Sequence, residues 1–130
     1  ISVAKALAQG LGNKIKESLE RAIALVPQHA DARITLGAFH AEVIDKVGAL
    51  IGGMTYGAKK DKSLKLFQEA LQLHPGSAMG RVEYANALVI LEGEAKIKEA
   101  NALYEQAAAS EAMDALERLG VDLSRTELHH

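Results

Sequence analysis

The sequence predicts an all-α domain of stacked, antiparallel helical hairpins, and three observations predict it. One short pattern occurs twice, 48 residues apart: Leu19, Ala22 and Pro27 are followed by Ala30 and Arg33, and Phe67, Ala70 and Pro75 by Ala78 and Arg81. A large apolar residue, Ala three on and Pro five further describe a helix with a small residue on its packing face and a fixed stop. Repeats of this kind stack helical hairpins into arrays that commonly bind other polypeptides. The composition agrees: 48% of the 130 residues are hydrophobic but only 4% aromatic, with Ala and Leu dominant. Ala and Leu lose little on entering a helix, whereas β-branched and aromatic residues favour strands. Finally, the chain has two prolines, and each falls where a helix should end.

The elements follow in order. Ser2 to Gln9 reads as the end of a helix closed by Gly10-Leu11-Gly12. Asn13 is placed to cap a second helix with Ile15, Leu19, Ala22, Ile23 and Val26 on one stripe, stopped by Pro27. A third helix runs from about His29 to about Ile51, and Gly52-Gly53 and Gly57 interrupt the pattern. Asp61 suits the N-cap of a fourth helix ending near His74. Ser77 caps a fifth that Gly93 stops after Glu92. A sixth spans Glu94 to Ala109, and Ser110 caps a seventh ending at Gly120. The expected organisation is one domain over residues 1–120 and a polar tail over 121–130, with repeat units at 1–29, 30–77 and 78–109 and a capping helix at 110–120. Ile1 falls midway along a first helix, as at the excised end of a longer array.

Charge and composition exclude several classes. A net charge of -2 gives no long-range attraction for nucleic acid or an anionic membrane. No apolar run reaches the ~18 residues of a membrane span, so no membrane insertion is expected. The chain has no cysteine, hence no disulfide or thiolate metal site, and suits cytosol and periplasm alike.

Phe67, Ala70 and Pro75, with Ser63 before them, resemble helix B of a tetratricopeptide repeat. Leu19, Ala22 and Pro27, with Ile15, match it again, and Ala100, Tyr104 and Ala107 a third time without the Pro. Leu36-Gly37 and Tyr84-Ala85 occupy the large–small pair of helix A. The small residue lets two helices approach and the large one fills the gap to the next repeat. The resemblance covers residues 1–109 and implies a right-handed α-α superhelix of about seven helices, of a bacterial tetratricopeptide-like kind. The stretch from Ala30 to Ser77 is longer than the family's unit, the excess lying in helix A and the Gly52–Lys60 connection. In this it is similar to bacterial relatives of the regulator of microtubule dynamics proteins and to helical-repeat subunits that accompany periplasmic solute transporters.

No residues demand catalysis. The segment from Gly52 to Lys60 fails as a phosphate loop: Ala58 separates Gly57 from Lys59, no hydroxyl residue follows the lysine, and a helix precedes it. His40, Glu42 and Asp45 do not make a metal site, because His40 and Asp45 are five apart and the positions that would pair with His40 are Val43 and Ile44. His40 is expected to be half-buried or exposed. Lys59, Lys60, Lys62 and Lys65 crowd a helix N-terminus, where they work against its dipole. They form either a solvated surface or, through Lys59, Lys60 and Lys62, a contact for an acidic partner.

The resemblance implies a concave face formed by the helix A elements. It places Asp31, Ile34, Thr35, Ala38 and Glu42 there from one repeat, and Met79, Val82, Glu83, Asn86 and Ile90 from the next. Spacings of three and four keep each set on one face; Ile34 and Val82 are groove or core residues. Some family members clamp a peptide carboxylate on this face with Lys, Asn and Arg. Asn86 matches one such asparagine, but Val82 stands where the lysine belongs, and Asp31 and Glu83 are acidic. A segment with hydrophobic anchors and Lys or Arg suits this face better. The expected function is a non-catalytic scaffold binding a protein or peptide, with no cofactor. The alternatives are a structural or self-associating part of a longer helical-repeat chain, and a small-ligand-binding accessory subunit of a periplasmic transporter using a closed pocket around Leu50, Met54 and Tyr56.

Overall fold

The structure, a computed structural model, describes residues 3–120. Among them every regular element is helical: α1 (Val3–Ala8), α2 (Gly12–Leu25), α3 (Ala30–Val47), α4 (Ala49–Tyr56), α5 (Lys60–Leu73), α6 (Ala78–Glu92), a 3-10 turn (Gly93–Lys96) and α7 (Ile97–Arg118). The expectations for Ser2 and for the tail at 121–130 lie outside the described residues.

The duplicated motif makes the same turn twice. After α2, Val26 keeps a helical bond to the Ala22 carbonyl at φ -133°, ψ 85°; after α5, His74 does the same to Ala70 at φ -138°, ψ 78°. The chain then passes Pro27 or Pro75 and is recaptured at the next N-cap. Ser77 Oγ accepts the Gly80 amide at 2.9 Å, and His29 Nδ1 accepts the Ala32 amide at 3.2 Å in the matching place. A histidine thus takes the role more often filled by a short polar residue. Arg33 donates to the Pro27 carbonyl and Arg81 to the Pro75 carbonyl, tying each following helix to its turn.

These turns fold each helix back against its predecessor: α3 packs on α2, α6 on α5 and α7 on α6, while α3 also meets α5 and α6. α3 is therefore the central helix. It buries Ala32, Ile34, Leu36, Gly37, Phe39, His40, Ala41 and Val43, more than one face can hold, as an element covered on several sides must. Two cores result. Ile34, Ala41, Phe67, Ala70, Tyr84, Ala85, Ala87, Leu88 and Ala100 form one, between α3, α5, α6 and α7. Leu36, Phe39, Val43 and Ala58 form the other, covered by Leu7, Ile15, Leu19 and Ile23 of α1 and α2.

Gly37 decides how closely α3 and α5 approach. A Cβ there would lie 2.9 Å from Cε2 of Phe67, which is fully buried and stacks on Tyr84 at a centroid distance of 5.4 Å. Ser63 Oγ, fully buried one turn earlier, donates to the Gly37 carbonyl at 2.7 Å, so the small hydroxyl is satisfied at the contact. Ile34 belongs to the core and Val82 is half-buried.

Five expectations need correction. α3 ends at Val47, not near Ile51, because Gly48 adopts φ 86°, which a side chain strains to reach. Gly52 and Gly53 then lie inside a helix, α4, instead of in an open connection. α4 is held by non-local contacts: Tyr56 lies against Gly12, and the Asn13 Nδ2 donates to the Thr55 carbonyl at 3.5 Å. Asn13 consequently sits inside α2, whose N-cap is Leu11 without a side-chain bond. Asp61 falls in the first turn of α5, and Lys59 occupies the cap position. Finally, α7 runs unbroken past Ser110, so residues 110–118 continue the preceding helix; the alanines flanking Ser110 favour continuation over a cap.

Candidate functional site

α3 and α6 meet along a groove. Its cavity, about 370 Å³, is lined by Ala38, Ala41 and Glu42 of α3, by Glu83, Asn86, Ala87, Val89 and Ile90 of α6, and by Tyr104 of α7. Ala38 and Glu42 also border a second cavity of about 360 Å³, completed by Thr35, Phe39, Val3, Ala6, Ile15 and Leu19. Ile90 borders a third, of about 560 Å³, where Ile44, Ala49, Gly53, Lys59 and Lys60 lie. Shared residues make the three cavities neighbours along α3.

Small side chains make the first cavity. Ala38, Ala41 and Ala87 leave the space, and Ile90, 36% exposed, offers an apolar wall. Glu42 and Glu83, from different helices, place two carboxylates on one cavity. Neither has an ion-pair partner among the described residues. An apolar trough with two unpaired acids suits a cationic side chain with a long aliphatic stem, since such a chain buries its methylenes and leads its charge to the acids.

Asn86 is more constrained than its sequence suggests. The hydroxyl of Tyr104 donates to its Oδ1, so the amide is oriented and presents its NH2 outward as a donor. Tyr104 takes one lone pair of Oδ1, and the amide keeps a second acceptor site besides its NH2 donors. Tyr104 was legible as a repeat position but not as a site residue. Its signal is the hydroxyl, which a purely packing position does not require.

The other expected residues are distributed. Thr35 and Glu42 share the second cavity, and Thr35 Oγ1 also donates to the Asp31 carbonyl at 2.9 Å. Asp31 and Met79, the latter 53% exposed, lie on the surface away from the three cavities. The lysine cluster divides. Lys59 and Lys60 border the third cavity, where Lys60 pairs with Glu92 at 3.3 Å, while Lys62 turns to another cleft with Lys65.

The closed pocket around Leu50, Met54 and Tyr56 does not form. Leu50 is 74% and Met54 80% exposed, and Tyr56 is spent against Gly12. His40 departs from expectation in the opposite sense, being 1% exposed. Its Nδ1 accepts the Lys59 amide at 3.1 Å, a partner 19 residues away, so α3 holds the start of α5 through this ring. Burial, with the nearby positive charges of Lys16 and Lys62, lowers its pKa to about 4 against a smaller opposing effect of Glu20. The ring is neutral at pH 7, with its proton on Nε2 because Nδ1 accepts.

Among the described residues no group of three or more His, Asp or Glu could hold a metal, and no helix is long and apolar enough to cross a membrane. No protein-family profile matches the chain, and neither a curated protein nor a solved structure matches it.

Proposed function

We propose that the chain is a non-catalytic protein-interaction module of the tetratricopeptide kind, with its helical hairpins stacked as a right-handed superhelix. Its groove between α3 and α6 takes a peptide segment. The observation that carries this reading is the convergence of Glu42, Glu83, Asn86 and Ile90 on one groove floored by alanines. A segment with an aliphatic anchor and a Lys or Arg fits these features. The anchor displaces water along Ile90 and Ala87, the cation meets Glu42 and Glu83, and the Asn86 NH2 donates to a main-chain carbonyl. Affinity rests on the apolar anchor, and the acids set register and speed encounter.

Affinity capture from the source cell extract tests this, comparing the native chain with an Asn86→Ala, Glu83→Lys variant of equal helicity. A protein retained by the native chain and lost from the variant supports the groove; identical eluates refute it.

One observation favours a second reading, self-association. Leu50, Ile51 and Met54 project from α4, each more than half exposed, and three large aliphatic side chains on one short helix make a patch that proteins commonly cover. A sedimentation-equilibrium mass that rises with concentration in the native chain, and not in Leu50→Gln, Met54→Gln, would transfer the weight to this reading.

A further inference from the structure

Away from the groove, α2, α3 and α5 enclose a cleft of about 260 Å³ bordered by Glu20, Ile23, Leu36, His40, Lys62, Lys65, Leu66 and Glu69. Ile23, Leu36 and Leu66 give it an apolar floor. Both carboxylates at its edge have cationic neighbours: Glu20 pairs with Lys16 at 3.4 Å, and Glu69 lies 4.0 Å from Arg33 Nε. Lys62 and Lys65 have no ion pair among the described residues. The cleft therefore holds two ammonium groups without an ion pair beside two carboxylates, of which Glu20 is bonded to Lys16 and Glu69 has only the distant Arg33.

His40 is the second, independent observation. Its Nδ1 is taken by the Lys59 amide, and Nε2 finds no partner among the described residues. Arg33 Nε is the one side-chain nitrogen or oxygen there that is both fully enclosed and partnerless. Nε2, partnerless, keeps at most a trace of exposure in a ring that is 1% exposed and borders the cleft. A neutral imidazole in this tautomer offers one N–H donor and does not exchange it for an acceptor.

We propose that this cleft is a binding site for a small aliphatic carboxylate. One carboxylate oxygen accepts from His40 Nε2, the charge is met by Lys62 and Lys65, and the hydrocarbon part lies on Ile23, Leu36 and Leu66. The size argues for a small acid, since drug-sized ligands occupy pockets of roughly 300–1,000 Å³. A carboxylate is favoured over a cation because Lys62 and Lys65 have no ion pair among the described residues, whereas Glu20 already has Lys16. The site is independent of the groove reading, because none of the residues that hold the ligand borders the α3–α6 groove or the two cavities beside it.

The test is a titration of the full chain with isovalerate, followed by the histidine ring signals and backbone amides in NMR. Isopentanol serves as the uncharged isostere, and a tripeptide ending in leucine as the other source of a carboxylate. Saturable shifts at the His40 ring and at the amides of Lys62, Lys65 and Leu66 are expected with isovalerate and not with isopentanol. In Lys62→Gln, Lys65→Gln, whose changes are exposed and leave helicity intact, affinity falls about tenfold or more as two charge-assisted contacts are lost. Equal response to acid and alcohol, no saturable response, or undiminished binding by the lysine variant would overturn the proposal. Saturation by the tripeptide alone would overturn it in favour of a chain terminus.

Discussion

Arg81 donates through its guanidinium to the carbonyl of Pro75, closing over the turn that the proline begins. The same group also approaches the Ser77 carbonyl at 3.4 Å, and its Nε donates to Gln106 of α7 at 3.3 Å. Arg33 repeats the first bond with Pro27, but its Nε meets only Glu69, at 4.0 Å. A turn that breaks the helix leaves carbonyls unpaired, and the arginine fork reaches several at once. Arg81→Ala should lower stability by about 1–3 kcal/mol, the scale of a charge-assisted hydrogen bond. Arg81→Lys should recover little, because one ammonium cannot span Pro75, Ser77 and Gln106 together. Urea unfolding of the two variants measures both values.

Gly37 and Phe67 should be coupled. Adding a Cβ at Gly37 drives it into the Phe67 ring, and overpacking of this kind costs about 1–3 kcal/mol. Phe67→Leu alone loses core contact, but it removes the atoms that obstruct Gly37→Ala. The double variant should therefore be less destabilised than the sum of the singles, by at least ~0.5 kcal/mol. Strict additivity in a double-mutant cycle would show that the helices simply move apart.

His40 predicts a stability that depends on acid. Its folded pKa of about 4 lies below the ordinary 6.5, so the unfolded chain takes up the proton first as pH falls. The stability is fully present above pH 6.5 and is lost progressively between 6.5 and 4; below that both states are protonated and the loss stops. The largest possible loss is roughly 3 kcal/mol for a shift of this size. Asn in this place can still accept from the Lys59 amide but does not titrate. Urea midpoints of native chain and His40→Asn should therefore converge as pH drops from 7 to 4. Parallel curves would contradict the buried, neutral ring.

Two groove predictions separate its parts. Tyr104→Phe frees Asn86 Oδ1 and releases the amide, so a peptide bound through the NH2 should dissociate faster while the fold loses only about 1 kcal/mol or less. Met79→Ala should leave both binding and stability within about 0.5 kcal/mol, because its side chain lies on the open surface. Dissociation rates from surface-immobilised protein and thermal melts distinguish the two.

Much of the fold was legible because its signals are local. Pro27 and Pro75 stop their helices, Ser77 caps the next, Gly93 ends α6, and Leu36-Gly37 marks the close contact with Phe67. What was illegible depends on partners distant in sequence. The Gly52-Gly53 pair remains helical although each glycine costs about 1 kcal/mol, and here Tyr56 is anchored against Gly12 from another helix. The full burial of His40, expected to be half-buried or exposed, was not legible because its partner, the Lys59 amide, enters only after α4 has turned the chain back. Glu42, Glu83, Asn86 and Ile90, assigned to one face by the tetratricopeptide resemblance, line one cavity between α3 and α6. Asp31 and Met79 share those faces but sit a turn or more towards the helix starts, beyond the cavities. Periodicity gives a direction around a helix and not the depth at which a groove begins.

The most direct test of the proposed recognition groove is selection from a random peptide library on the native chain, with each enriched peptide then titrated against Glu42→Gln, Glu83→Lys, Asn86→Ala. The account predicts enriched sequences that pair an aliphatic anchor with Lys or Arg and bind the variant at least tenfold more weakly, about 1.4 kcal/mol. Peptides without a basic residue, or with equal affinity for both proteins, would contradict it.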